Sequence, residues 1–302
     1  MITNPIASRR GVVQEGARRL KPLGDPCAMR EAEWLLGRLI GVKALDIYLD
    51  EALLPRETIE RFFSQIQARA AGAPLQYLIG EADFFGRRFT VAPGVFIPRP
   101  ETEAIVERAI EALRAREAAL GRPLRLLDAG TGSGCIAVTL ACALPACVVV
   151  GVELLWSALF VAQRNVLRHG VSERVRLIQG DWLEAIRGEF DGLVSNPPYV
   201  PSDAVERLPP DVRQEPRASL DGGEDGLRDI RRILAQAPMR VRSGGLIILE
   251  CGEDQVARLM NDAAVAPWVH RAEALHDLAG RPRGILIERT ADLLSRHELS
   301  NY

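Results

Sequence analysis

The sequence predicts an α/β protein, in which a small N-terminal helical domain and a β-hairpin linker precede a larger domain built on a mostly parallel sheet. Three observations lead there. From about residue 123 onward short apolar runs alternate with helix-period stretches, the pattern of a parallel sheet covered on both faces. Between about residues 11 and 72 helical periodicity dominates. A chain of 302 residues also exceeds the usual size of one domain, so a large domain with a smaller companion is expected.

Taken in order, residues 1–10 are expected to form a flexible tail and 11–75 a helical domain. Glu31-Ala32-Glu33-Trp34-Leu35-Leu36 with Leu39 and Ile40 gives one apolar stripe, and Thr58-Ile59-Glu60-Arg61-Phe62-Phe63 with Ile66 gives another. Gly41, Pro55 and Gly72-Ala73-Pro74 mark the breaks. Residues 76–98 read as a hairpin linker, with strand-like Arg88-Phe89-Thr90-Val91 and a Pro93-Gly94 turn. The remainder, 99–302, opens with a helix over 101–116. Its strands are Leu124-Arg125-Leu126-Leu127, Val148-Val149-Val150-Gly151-Val152, Val175-Arg176-Leu177-Ile178, the run ending at Ser195, Leu246-Ile247-Ile248-Leu249-Glu250, a run near 269–275, and Ile285-Leu286-Ile287. The last two are expected to form an antiparallel edge. No internal repeat is present.

Composition narrows the function classes. Hydrophobic content of 47% and charged content of 26% are ordinary for soluble protein, and no apolar run reaches bilayer-spanning length. The five cysteines, Cys27, Cys135, Cys142, Cys147 and Cys251, include no C-x-x-C pair, which favours a reducing cytoplasm and free, buried thiols. The four histidines are far apart and show no ligand spacing, so no metal is expected. The first 24 residues carry several arginines but lack the apolar core of a secretory signal, so no targeting segment is expected. A net charge of −2 and a pI near 6.2 argue against a nucleic-acid partner, which would require phosphates to be neutralised.

The chemistry-bearing motifs follow the strands. Asp128-Ala129-Gly130-Thr131-Gly132-Ser133-Gly134 joins a short strand to the helical run 135–144, and glycines there permit a tight turn while helix-start N–H groups face a ligand. Cys135 stands where a dinucleotide fingerprint needs its third glycine, so no pyrophosphate is implied. Glu153 ends the next strand, roughly 20 residues beyond the glycine loop, where an acid accepts hydrogen bonds from a ribose diol. Gln179-Gly180-Asp181-Trp182 ends the third, offering a carboxylate for an adenine amine and an indole for its ring face. Singly, each has an ordinary alternative: a tight turn, a solvated acid, a core tryptophan.

Asn196-Pro197-Pro198-Tyr199 follows the fourth strand. Alone it reads equally as a proline turn closing a strand. Following the glycine loop and the two acids, it suits methyl transfer to a planar nitrogen. Such a nitrogen is a poor nucleophile because its lone pair is delocalised. The Asn196 carbonyl and the backbone carbonyl of Pro197, held by proline's fixed φ, can accept its hydrogens in plane, and Tyr199 can stack on the flat group.

These residues resemble the S-adenosylmethionine-dependent methyltransferases of the seven-stranded, Rossmann-like type (class I), and specifically the HemK (PrmC) group of release-factor glutamine N5-methyltransferases. Phe85-Gly86-Arg87-Arg88-Phe89, Phe96-Ile97-Pro98-Arg99-Pro100-Glu101-Thr102-Glu103, Asp211-Val212-Arg213-Gln214-Glu215-Pro216-Arg217, Leu220-Asp221-Gly222-Gly223-Glu224-Asp225-Gly226-Leu227 and Asp277-Leu278-Ala279-Gly280-Arg281-Pro282-Arg283-Gly284 extend the resemblance over about 12–290. It implies that Gly130, Thr131, Gly132, Ser133, Gly134, Glu153, Asp181, Trp182 and Asn196 hold S-adenosylmethionine. It implies that Asn196, Pro197, Pro198 and Tyr199 serve catalysis by in-line displacement, and that the helical domain recognises the release factor. Phe96 is expected at the glutamine entrance. The implied protein is a cytoplasmic monomer that needs no metal, nucleic acid or membrane.

One departure and three rivals remain. The family acid is usually Asp followed by Ser-Pro, whereas this chain has Glu153-Leu154-Leu155-Trp156-Ser157, which puts the cofactor geometry in question. The loop 200–226 is long for a compact domain, and its charges suit either partner docking and site closure or local ion pairs. A glutamine methyltransferase of a large-subunit ribosomal protein is one rival, for which the segment after Ile-Pro-Arg is expected to differ. An adenine N6-methyltransferase is the other, disfavoured by charge. A non-catalytic binding protein on the same fold is disfavoured by the intact motifs.

Overall fold

The computed structural model describes residues 8–21, 27–50 and 52–290, which divide into two compact units. The first comprises the described residues up to Glu81 together with Pro209–Gln214. Its helices are α1 (Arg9–Leu20), α2 (Ala28–Ile40), α3 (Arg56–Ala70) and the short α4 (Leu75–Ile79). Ser8 caps α1 by accepting the Gly11 N–H at 3.2 Å, so helix begins at Arg9, inside the stretch expected to be a tail; residues 1–7 of that tail lie outside the described residues. Val12, Val13, Leu20, Leu35, Leu36, Phe62 and Ile66 form the core. Gly16 lets the Phe62 ring approach, since a Cβ there would lie 2.6 Å from it. Trp34, expected in the α2 stripe, is 47% exposed, because the buried face runs through Ala28, Glu31, Ala32 and Leu35 at helical spacing. Glu31 is buried because Arg69 grips both its oxygens at 2.8 Å, and Arg69 also reaches Asp211 at 3.4 Å.

The second unit, Ala82–Leu208 with the described residues from Glu215 onward, carries the sheets. A two-stranded hairpin, β1 (Glu81–Phe84) and β2 (Arg87–Thr90), turns at Phe85-Gly86, where both residues have positive φ (52° and 67°) as a type I′ turn requires. Phe84 and Phe89 are fully buried and meet edge to face at 6.1 Å. Part of the expected linker, Tyr77 to Ile79, is helical, because Gly80 in the left-handed conformation ends α4 there.

Helix α5 (Pro100–Leu120) leads into a seven-stranded sheet made of β3 (Arg125–Ala129), β4 (Val148–Glu153), β5 (Val175–Gln179), β6 (Phe190–Ser195), β7 (Val241–Glu250), β8 (Val269–His276) and β9 (Pro282–Arg289). The order is β5-β4-β3-β6-β7-β9-β8. The first five strands run parallel, while β9 pairs antiparallel with both β7 and β8, giving the expected antiparallel edge. Strand alternation separates two cores. Leu126, Val149, Val194, Ile248 and Leu286 face α5 and α6 (Cys135–Ala143), and α7 (Trp156–Arg168) adds Val166 to this side. Leu127, Val152, Leu193, Ile247 and Ile287 face α8 (Arg228–Gln236) and α9 (Val256–Val265). Burial on both faces explains why these strands read as continuous apolar runs.

Cys135, Cys147 and Cys251 are buried thiols as expected, Cys142 is half-buried, and Cys27 is exposed rather than buried. Among the described residues no helix is long and apolar enough to cross a membrane, and no group of three or more His, Cys, Asp or Glu is placed to hold a metal ion.

Candidate active site

Strand order positions the site. β4 and β5 extend the sheet to one side of β3 and β6 begins the other side, so the carboxyl ends of β3 and β6 flank the switch point where such sheets open a crevice. The glycine loop leaves β3 there, and Asn196-Pro197-Pro198-Tyr199 leaves β6 beside it. The Ser195 hydroxyl donates to the Ala129 carbonyl at 2.6 Å and ties the two exits together across 66 residues of sequence.

Gly130, Gly132 and Gly134 all have positive φ, a turn L side chains rarely follow. Beneath the loop, buried Asp128 accepts from the Thr131 hydroxyl at 2.6 Å and the Ala137 N–H at 3.0 Å, both on Oδ2. Desolvation pushes its carboxyl up to about 7. The loop amides differ from the expectation that they face a ligand. Gly130 and Thr131 donate to Val152, Gly132 to Glu153 and Gly134 to Thr131, leaving little to hold a phosphate. That agrees with a ligand lacking a pyrophosphate. Asn165, fully buried on α7, fixes the loop from the other side by donating to the Ser133 carbonyl at 2.8 Å while bonding both backbone groups of Thr90.

Glu153 accepts from Gly132 N–H on one oxygen and from Leu155 N–H on the other, each at 2.9 Å. The longer acid thus spans the glycine loop and the start of α7, and each oxygen keeps a lone pair to offer. Asp181 is paired with Arg232 at 2.7 Å. Trp182 has a φ of 47°, rare for an aromatic residue, and its Nε1 donates to buried Asp229 at 3.1 Å. The indole lies so close to Gly130 that a Cβ there would be 3.0 Å from the ring.

A cavity of about 350 Å³ opens between these parts. Of the residues expected to hold the cofactor, Gly130, Thr131, Gly132, Ser133, Glu153, Asp181, Trp182 and Asn196 line it, whereas Gly134 turns under α7 against Ala162. Of the four-residue motif, Asn196 and Pro198 line the wall and Pro197 and Tyr199 do not. Tyr199 packs behind it, its hydroxyl 3.2 Å from Glu250 Oε1, so the stacking expected of its ring is not what the fold shows. Asn196 Nδ2 donates to Thr102 Oγ1 at 3.0 Å, which leaves Oδ1 to accept from a ligand.

Phe96 lines the cavity, with the Arg99 guanidinium 5.0 Å above its ring. Glu215, almost fully buried, accepts the Ile97 N–H at 2.9 Å and pairs with Arg99, and the residues after it, Pro216, Ala218 and Ser219, complete the wall. Other loop charges form local pairs: Arg207 with Asp203 at 3.0 Å, Arg217 with Glu206 at 2.8 Å and with Asp221 at 3.1 Å. The loop also clamps the motif backbone. The Val200 N–H donates to the Leu220 carbonyl, the Gly222 N–H donates to the Val200 carbonyl, and Gln255 donates to the Tyr199 carbonyl at 2.9 Å. Gly226 has a φ of 72°, and a Cβ on it would stand 2.2 Å from that carbonyl.

Thr102, Asn165, Glu215, Asp229 and Glu250 had no site role assigned from the sequence. Thr102 and Glu215 stand in stretches that carry the resemblance, and Glu250 carried its own signal, an acid at the carboxyl end of a parallel strand where ligands gather.

The cavity fits a nucleoside-sized ligand. Its volume is in the range of small-molecule sites, and at Gly132 a Cβ would meet nothing closer than 4.0 Å, so the space over the loop is open.

Comparison with known proteins accords with this geometry. The PrmC N-terminal domain family matches 12–80 and the methyltransferase small domain family matches 92–208. The release factor glutamine methyltransferase of Moorella thermoacetica is 43% identical over 284 residues, covering 93% of this chain and 98% of that one. That of Geobacter sulfurreducens is 44% identical over 237 residues, covering 77% and 80%. Among solved structures, a methyltransferase from Pyrococcus furiosus aligns with a TM-score of 0.50 at 18% identity, covering 77% of this chain and 97% of that one. The human Mettl16 catalytic domain aligns at 0.55 and 16%, covering 75% and 81%. These two share the fold. Identity of this extent over nearly the full length of the relatives goes further, and the chain belongs to the release factor glutamine methyltransferase family.

Proposed function

We propose that this protein transfers a methyl group from S-adenosylmethionine to the side-chain amide nitrogen of the glutamine in the Gly-Gly-Gln loop of a peptide chain release factor. The observation that carries the reading is the polarity of Asn196: its Nδ2 is committed to Thr102, so the group left for the cavity is a carbonyl acceptor. A substrate amide presents two N–H donors and needs acceptors.

Bound S-adenosylmethionine supplies an electrophilic methyl carbon, chemistry that calls for no metal. Gly130, Thr131, Gly132 and Ser133 would hold it with Glu153 at the ribose and Asp181 and Trp182 at the base. Arg232, paired to Asp181 at 2.7 Å, holds that carboxylate in place. Asn196 Oδ1 accepts an amide hydrogen, aims the nitrogen and favours localisation of its lone pair. Pro198 fixes the turn and Tyr199 supports it from behind. The nitrogen becomes acidic only as its new bond forms, so its proton leaves late and positioning supplies most of the rate. Phe96 and the Pro216 to Ser219 wall exclude water from the amide.

We assign substrate recognition to the helical segment 11–75, linkage to 76–98 and catalysis to 99–302, in a cytoplasmic monomer. The relatives' names and the net charge of −2 favour a release factor over a ribosomal protein or an adenine base.

The test is transfer of labelled methyl from S-adenosylmethionine to purified release factor, ribosomal protein and duplex DNA in parallel, with Asn196→Ala as control. Label on a release-factor glutamine, lost in the variant, is the expected result. Label confined to DNA or ribosomal protein overturns the substrate.

A further inference from the structure

Two separate stretches of the cavity wall are joined by a buried carboxylate that the mechanism above does not use. One stretch holds Phe96 and Pro98, and the other Pro216, Ala218 and Ser219. Glu215 stands at the foot of the second, its side chain 1% exposed, and grips the first. Its Oε2 accepts the Ile97 N–H at 2.9 Å, and its Oε1 accepts from the Arg99 guanidinium in an ion pair. These bonds span 118 and 116 residues of sequence and land directly after Phe96. Arg99 in turn lies over the Phe96 ring at 5.0 Å. A buried carboxylate in an ion pair contributes little net stability, since desolvation offsets the attraction. What this one contributes is geometry.

Both ends of the tie are stiff. Pro98 and Pro100 flank Arg99, whose backbone is extended (φ −108°, ψ 144°), and Pro216 disfavours helical backbone at Glu215. The 216–219 stretch is a tight turn, in which Ser219 donates its hydroxyl and its N–H to the Pro216 carbonyl at 2.7 and 2.9 Å. Leu220 then accepts the Val200 N–H at 2.9 Å, immediately after the four-residue motif. On the other side the Arg99 carbonyl accepts the Thr102 N–H at 3.2 Å where α5 begins, and Thr102 accepts from Asn196. A shift of the one carboxylate therefore moves both stretches.

We propose that Glu215 is a positioning residue for the transfer, which through Ile97 and Arg99 fixes Phe96 relative to the 216–219 turn and so sets the space in which the substrate amide meets Asn196. This rests on the reading of the cavity as the seat of a glutamine side chain. A side chain that must bring its nitrogen to Asn196 Oδ1 does so only while the walls around it keep one separation. Loosening the tie widens the set of positions open to the amide and lowers the reacting fraction. It leaves the glycine loop, Glu153 and Trp182 to hold the cofactor as before.

The full-length wild type is compared with Glu215→Gln, Arg99→Met and the double variant. Glutamine keeps an acceptor for Ile97 but loses the charge that pairs with Arg99, whereas methionine removes the guanidinium and leaves the carboxylate in place. Three readings are taken: kcat and KM with purified release factor, S-adenosylmethionine affinity and stoichiometry by calorimetry, and fluorine NMR of protein labelled with para-fluorophenylalanine, the Phe96 resonance being assigned with Phe96→Leu. Expressing kcat per titrated cofactor site keeps a loss of folded enzyme from registering as a loss of rate. Each single variant is expected to lose roughly tenfold to a hundredfold in kcat per site, the scale of a misplaced reacting group, with KM and cofactor affinity within about twofold of wild type. The Phe96 resonance should shift or broaden in both. The double variant should be no slower than the slower single one, since both cut the same tie. Arg99, 27% exposed, gives the same test from the more accessible side should Glu215→Gln fail to fold. A kcat per site at the wild-type value, losses that multiply in the double variant, or a Phe96 resonance unmoved would each overturn the proposal. A wild type that methylates no release factor defeats the substrate reading alone, and the Phe96 resonance then decides the role of Glu215.

Discussion

Asp191 should be a purely structural residue, and Asp191→Ala should separate stability from activity. Its side chain is wholly buried at the amino end of β6 and accepts four hydrogen bonds: Arg122 Nη1 at 2.9 Å and Nη2 at 2.6 Å, Arg242 Nη1 at 3.0 Å and the Arg125 N–H at 2.8 Å. Removing one member of a buried ion pair typically costs about 3–5 kcal/mol. Because the Arg122 side chain is 42% exposed and Arg242 29%, both can rehydrate, and the cost should be near the low end, about 3 kcal/mol. At about 2–4 °C per kcal/mol for a protein of this size, Tm should fall by roughly 6–12 °C.

The pH dependence gives a second check. Burial alone would raise the Asp191 pKa, but the Arg122 bond, the Arg125 amide and Arg242 outweigh it and hold the carboxyl at about 2 against an ordinary 3.8. A depressed carboxylate stabilises the fold above its unfolded pKa, and that contribution is lost as pH falls through the folded value. The shift corresponds to about 2 kcal/mol after discounting for the water-exposed guanidinium groups. Thermal melts of wild type and variant from pH 7 down to pH 2 should therefore show a gap that is widest at neutral pH and narrows below about pH 4. S-adenosylmethionine affinity measured well below Tm should not change, since Asn196 leaves the opposite end of β6. An equal Tm for the two proteins, or a gap constant across that range, would refute the reasoning.

Gly226→Ala should abolish turnover while the rest of the fold persists, because its Cβ would collide with the Tyr199 carbonyl at 2.2 Å in a conformation alanine resists; circular dichroism beside the methyl-transfer assay checks this. Trp182→Ala should raise the dissociation constant for S-adenosylmethionine by roughly tenfold or more, given the loss of an aromatic wall worth about 1 kcal/mol beyond its buried area; calorimetry reads it directly. Asn165→Ala should cost about 2–3 kcal/mol in denaturant unfolding, since three bonds are lost and the buried Ser133 carbonyl and Thr90 backbone are left unserved. It should weaken cofactor affinity as well, because the same side chain holds the glycine loop.

Local chemistry was legible in the sequence wherever one stretch of chain sufficed. The strands of the sheet were readable because burial on both faces makes them continuous apolar runs, and the antiparallel edge followed from the two late runs. The glycine loop, Glu153 and Asn196 were readable because each ends a strand, and strand ends at a switch point converge. What escaped was set by partners remote in sequence. Tyr199 looked available for stacking, yet packing placed it behind the wall with its hydroxyl on Glu250, 51 residues away. The loop amides looked free until strand pairing brought the Val152 carbonyl beneath them. Trp34 lay in an apolar run but off the buried face, a matter of helix rotation against its neighbours. The residue types and their order thus determined which groups reach the crevice. Only the tertiary structure decided which way each polar group points, because a hydrogen bond's direction depends on the partner that folding brings to its other side.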